Sequence, residues 1–231
     1  MRGWPPHVLP VGSLPALDLP AARGGVVAGR EPGGSPVTLR LFRATPVRIG
    51  VFGAGYFVNL LAFRAFAQGA QVAVVTARPA RWAPLVRSAP PGPAWVTVVP
   101  PASPTPPAGT MLRPSLLVED VDAGQGGPRH DLGAWQAGLT LEPAITDTAG
   151  RAGTAMRSCD LAVLTRPGAH ALRPVQDAFR LPAEELRWLP QMPDDVLAVA
   201  VPGRCRFVRL VPTQVERATF GPPPAPTGAG A

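Results

Sequence analysis

An α/β domain with a mostly parallel central sheet and a C-terminal antiparallel hairpin is the fold class that the 231-residue sequence predicts. Three observations carry it. Short β-rich runs alternate with helical stretches along the chain, the pattern of strands joined by crossover helices. Val47 to Thr76 reads as strand, glycine turn, helix and second strand within about 30 residues, a βαβ unit whose right-handed crossover makes its strands a parallel pair. Near the end, two β-rich runs flank Pro202-Gly203, a turn signal.

Taken in order, residues 1–35 mix proline, glycine and small residues without periodicity and read as a disordered tail. Val37, Leu39 and Leu41 then alternate with Thr38, Arg40 and Phe42 as an edge strand would. Val47-Arg48-Ile49-Gly50-Val51-Phe52 is a β-rich run, Gly53-Ala54-Gly55 a tight turn, and Tyr56 to Gln68 a helix closed by Gly69. That helix is apolar nearly all round, broken by Asn59, Arg64 and Gln68, so it must be covered on more than one side by the domain or by a partner. Gln71 to Thr76 is the second strand of the unit.

Pro79 to Ser88 reads as a short helix with Trp82, Leu85 and Val86 on one side, followed by a strand from Trp95 to Val99. Five prolines between Pro100 and Pro107 require an irregular surface loop. Leu116 to Val121 is a buried strand ending in acids, Gly124 to Gly133 a polar glycine loop, and Ala137 to Glu142 a weaker strand. A short helix over Thr148–Arg157 and a core strand over Asp160–Arg166 come next. Pro174 falls in a helical region from His170 to Arg180, where it either begins a helix or kinks a longer one. Pro182-Ala183-Glu184-Glu185 opens another helix, with its acids facing the positive end of the helix dipole. Val196–Val201 and Arg206–Val211 form the hairpin. The expected organisation is therefore a tail over residues 1–35, one domain over 36–217, and a second tail over 218–231.

All 22 basic residues are arginine, with no lysine, against 15 acids, for a net charge of +7. The absence of lysine excludes the Gly-Lys-Ser/Thr phosphate loop, Schiff-base chemistry and a catalytic lysine. Lysine, asparagine, isoleucine and tyrosine are scarce together, the composition of a GC-rich genome such as an actinobacterial one. Scattered arginines, densest at Arg204, Arg206 and Arg209 and divided between two strand faces, provide no converging patch for nucleic acid. The apolar run Ile49–Phe63 is too short to span a bilayer, and extending it takes in Arg48 or Arg64. Pro5 and Pro6 break any secretory signal, and Cys159 and Cys205 beside apolar runs read as reduced thiols, so a cytoplasmic location is expected.

The glycine turn carries a cofactor reading. Gly53 and Gly55 stand where the first two glycines of a dinucleotide fingerprint would, with Val58 in place of the third. Thr76 and Arg78 end the second strand, and a hydroxyl with an arginine suits the 2′-phosphate of NADP better than the ribose of NAD. Tyr56 and Phe57 open the helix with bulk that crowds an anion. Glu119, Asp120 and Asp122 end a hydrophobic strand as the acids of a Walker B strand do, without a partner lysine; the alternative is solvated loop acids. Of the histidines His7, His130 and His170, only His130 has an acidic neighbour, Asp131, and adjacent residues point apart; none has metal-ligand spacing.

Asp160-Leu161-Ala162-Val163-Leu164-Thr165-Arg166, two helices, Leu189-Pro190-Gln191-Met192-Pro193-Asp194-Asp195-Val196-Leu197-Ala198-Val199 and a hairpin resemble the closing part of RecA-like conjugation and secretion ATPases. With Val47–Thr76 before it, the chain from Val37 to Glu216 resembles soluble α/β proteins encoded with actinobacterial type VII (ESX) secretion systems. The resemblance implies a Rossmann-like or P-loop-like domain without a Walker A loop. It also implies a non-enzymatic cytosolic accessory or scaffold protein whose partner is a membrane secretion complex or its ATPase. Two alternatives stand beside it: an NADP-binding Rossmann-type protein or oxidoreductase using Gly53, Gly55, Thr76 and Arg78, and a degenerate nucleotide-binding domain regulating an ATPase partner.

Overall fold

A computed structural model describes residues 25–90, 94–104, 106–120, 130–142, 145, 150–168 and 171–223. Among the described residues ten strands form one sheet: β1 (Val26–Arg30), β2 (Pro36–Leu39), β3 (Val47–Phe52), β4 (Gln71–Thr76), β5 (Val96–Val99), β6 (Ser115–Asp120), β7 (Gln136–Glu142), β8 (Leu161–Leu164), β9 (Val196–Val201) and β10 (Arg204–Arg209). Their spatial order is β2-β1-β10-β9-β8-β3-β7-β6-β4-β5. Strands β8, β3, β7, β6, β4 and β5 are parallel, and β9, β10, β1 and β2 extend the sheet antiparallel beyond β8. The turn at Pro202-Gly203 closes the hairpin with Gly203 at φ 75°, where a side chain would be strained.

Helices α1 (Gly55–Ala67), α2 (Pro79–Ser88) and α6 (Gln214–Phe220) cover one face, and α3 (Gly150–Arg157), α4 (Leu172–Phe179) and α5 (Ala183–Trp188) pack at the β8–β10 end of the other. Helix α1 buries Phe57, Val58, Leu60, Leu61, Ala62 and Ala65 against the sheet. Each large side chain so buried contributes about 1.5–3 kcal/mol. Its remaining sides meet α6 and α2, and Phe63 lies edge-on to Phe66 and Phe220, so the domain itself wraps this apolar helix. Across β6 and β7 the second face is covered by irregular chain: Gln136 donates to the carbonyls of Pro106 and Pro107, and Leu132 fills the space beside Gly138.

Three expectations change, and one open alternative is decided. Described secondary structure begins earlier than residue 36, because β1 pairs with β2 and with β10; residues 1–24 lie outside the described residues. It also runs past residue 217: Thr213 and Glu216 form a capping box that starts α6, which ends at Phe220, and residues 224–231 lie outside the description. Pro174 sits in the first turn of α4 and does not kink it. Strands β3 and β4 are parallel but not neighbours, since β7 and β6 lie between them. The glycine loop expected over Gly124–Gly133 falls largely outside the described residues.

Candidate functional site

In an open parallel sheet the carboxyl ends of the strands form the site where ligands bind. Here that end carries Gly53 and Gly55 after β3, Thr76 and Arg78 after β4, Glu119 and Asp120 at the end of β6, and Thr165 after β8. Only Gly53 and Ala54 separate β3 from α1, so the connection is a two-residue turn and not a loop that could wrap phosphate. Gly53, at φ 76°, donates its N–H to the Glu142 carbonyl at 3.0 Å, continuing the ladder to β7. The Phe52 carbonyl accepts from both the N–H and the hydroxyl of Thr165, at 3.1 and 3.3 Å.

Gly50 and Gly55 have the spacing of the two glycines in Gly-x-x-x-x-Gly-Lys-Ser/Thr, a correspondence that reading the dinucleotide fingerprint passed over. The lysine position is Tyr56 and the hydroxyl position Phe57. Tyr56 donates to the Gly221 carbonyl at 2.9 Å, anchoring the end of α6, and its phenol is pushed above the ordinary value by burial and by the Glu216 carboxylate. Phe57 is buried in the core. Gly50 lies inside β3, where an added Cβ would come within 2.8 Å of the Phe52 ring and 2.9 Å of Cys159 Sγ. Packing, not a ligand, requires glycine there.

Asp120 is fully buried and its carboxylate is taken up by the protein. Arg78 donates to Oδ1 at 2.5 Å, Trp82 Nε1 to Oδ2 at 2.8 Å and Thr76 to Oδ2 at 3.2 Å. Arg81 stands 3.7 Å from Oδ1 and also donates to the Gly55 carbonyl at 3.2 Å. The guanidinium of Arg81 therefore lies on the glycine turn, and a Cβ at Gly55 would meet its Nη2 at 2.6 Å. Thr76 also accepts from the Arg78 N–H at 2.9 Å. Of the four residues of the dinucleotide reading, Thr76 and Arg78 come together on Asp120, while Gly53 and Gly55 sit two strands away.

Adjacent strand positions face opposite ways, so Glu119 points to the loop-covered face. Its Oε1 lies 2.9 Å from His130 Nδ1 and accepts the His130 N–H at 3.1 Å, while Oε2 accepts from Thr140 at 2.9 Å. His130 Nε2 faces the Ser103 carbonyl at 3.4 Å, and Arg48 donates to the His130 carbonyl at 3.0 Å. Glu119 and Asp120 are thus buried structural acids, not solvated ones, and the acid beside His130 is Glu119 and not Asp131; Asp122 lies outside the described residues. No group of three or more His, Cys, Asp or Glu side chains among the described residues could hold a metal.

Tested against a nucleotide, these residues do not fit. The phosphate-loop positions are occupied by Tyr56 and Phe57, the turn amide of Gly53 is bonded within the sheet, and the buried acid is neutralised by two arginines. In a dinucleotide fold the strand that presents the ribose-binding residue adjoins the one before the glycine turn, whereas here β7 and β6 lie between β3 and β4.

No family model and no curated protein matches the chain. Among solved structures, VirB4 of Thermoanaerobacter pseudethanolicus superposes with a TM-score of 0.56 at 9% identity, covering 84% of this chain and 98% of that one. A protein described as an ATPase gives 0.50 at 12% identity, covering 84% and 89%. The genome packaging NTPase B204 from Sulfolobus turreted icosahedral virus 2 gives 0.49 at 9%, covering 71% and 97%. At such identities the likeness is one of fold. The chain is a single α/β domain resembling the P-loop ATPase fold, with a mostly parallel sheet and antiparallel strands at one side that include the C-terminal hairpin.

Proposed function

We propose that this protein is a non-catalytic accessory domain of P-loop ATPase fold that acts through protein contacts, in the cytoplasm at a secretion apparatus or its ATPase. The observation that carries the reading is the self-filled nucleotide end of the sheet, with Tyr56 at the lysine position and Asp120 held by Arg78, Arg81, Trp82 and Thr76. The secretion setting is supported by the type VII resemblance of the sequence and by a fold similar to that of VirB4. Among the described residues no helix is long and apolar enough to cross a membrane.

Calorimetric titration of the purified protein with MgATP, ADP and NADPH tests the first part. No saturable heat at millimolar ligand is expected. Micromolar binding of NADPH that is lost in Arg78→Ala would replace this reading with the dinucleotide one, and micromolar binding of MgATP would replace it with a nucleotide-sensing one.

A further inference from the structure

The sheet has two edges, and they differ in chemistry. At one edge β2 begins with Pro36 and is followed by Arg40, and its neighbour β1 is bulged between Val27 and Gly29. Proline, charge and bulges discourage a further strand from pairing. At the other edge β5 is Val96-Thr97-Val98-Val99, preceded by Trp95, with no charge and no proline inside the strand. Val72 N–H donates to the Trp95 carbonyl at 2.8 Å, and Val72 stands opposite Val96. In a parallel ladder this register turns the main-chain groups of Trp95, Thr97 and Val99 toward β4 and those of Val96 and Val98 outward. Among the described residues no strand pairs with these outward groups, which form a template for one.

The chain that builds that side of the sheet carries one sign of charge of its own. Residues 32–118 contain eight arginines and no aspartate or glutamate, so β3, α1, β4, α2 and β5 have no acid of their own. Arg87 is exposed in the last turn of α2, which packs beside β5. A second copy would bring an equally basic surface to this edge.

We propose that the free edge of β5 is a docking site for an extended, uncharged β-forming segment with acidic flanks, supplied by a protein partner. This rests on the protein-contact reading above. Main-chain hydrogen bonds to Val96 and Val98 give the affinity, and an acid beside Arg87 gives direction and salt dependence.

The probe is a short labelled peptide of alternating valine and threonine between paired aspartates, with a lysine-flanked version as control. Fluorescence anisotropy on the full chain should show saturable binding of the aspartate peptide and at least tenfold weaker binding of the lysine peptide. Bound peptide should slow amide exchange at Val96 and Val98. Val98→Pro removes an outward N–H without touching the ladder to β4, so the fold is retained and peptide binding falls at least tenfold. Thr97→Glu, at an exposed position, should weaken it by repulsion. Equal binding of both peptides, no saturable binding, or unchanged exchange at Val96 and Val98 overturns the proposal. So does a concentration-dependent dimer that Val98→Pro abolishes, which would assign the edge to a second copy. Nucleotide titration decides the protein-contact reading separately, so absent peptide binding together with absent nucleotide binding removes the edge assignment alone.

Discussion

Arg64 was conspicuous in the sequence as a charge inside an apolar helix. In the fold it pairs with Glu216 through Nε at 2.5 Å and Nη2 at 2.9 Å, and donates to the carbonyls of Val27, Ala28 and Val211. It thereby ties α1 to the first strand and the last helix. Removing one member of a buried pair leaves the other unpaired, so Arg64→Met should cost about 3–5 kcal/mol in urea unfolding. Burial tends to raise the Glu216 carboxyl, but hydrogen bonds from Arg64 and Thr213 hold it below the ordinary value. A depressed carboxyl contributes stability that is complete above the unfolded value of about 4.3 and is lost as pH falls through the folded one. Acid titration of stability should therefore be shallower in Glu216→Gln below pH about 4.3. At Cys205, burial and then Glu185 push the thiol up to about 12, whereas Cys159 is half-buried. Thiol labelling at pH 8, read by mass spectrometry, should modify Cys205 only on unfolding. The sequence showed that these charges and thiols exist but not their partners, because Arg64 and Glu216 lie 152 positions apart.

Helices and strands were largely legible as periods, turns and caps. Strand β7, read as weak, is central because its glycine admits Leu132 and its Thr140 serves Glu119. The capping box Thr213-x-x-Glu216 was a readable signal for α6, hidden by the proline-rich residues that follow it. Strand β1 had no such signal: a bulge breaks its alternation and Arg64 satisfies two of its carbonyls in place of a neighbouring strand. Gly29 permits β10 to approach, since a Cβ there would lie 2.4 Å from the Arg209 carbonyl oxygen, a backbone atom that cannot yield as a side chain can. Gly29→Ala should cost about 1–3 kcal/mol and speed amide exchange in β1 and β2 ahead of the parallel strands. Gly55→Ala meets only the movable end of Arg81 and should cost less in the same assay.

For the molecule as a whole, the sequence established the α/β class but not the strand order, and the order decides the functional reading. A βαβ unit looks the same in sequence whether its strands are neighbours or separated by two others, because the separating strands arrive later in the chain. Once β7 and β6 intervene, Thr76 and Arg78 serve Asp120 and not the glycine turn. The missing lysine was readable; the use of its position to fasten α6 was not. Thermal unfolding with and without 5 mM MgATP tests the self-filled site most directly. A ligand with a dissociation constant of about 50 µM would add about 2.7 kcal/mol and raise the midpoint by several degrees. The closed site predicts a midpoint unchanged to within about 1 °C, and a saturable rise with nucleotide concentration would contradict it.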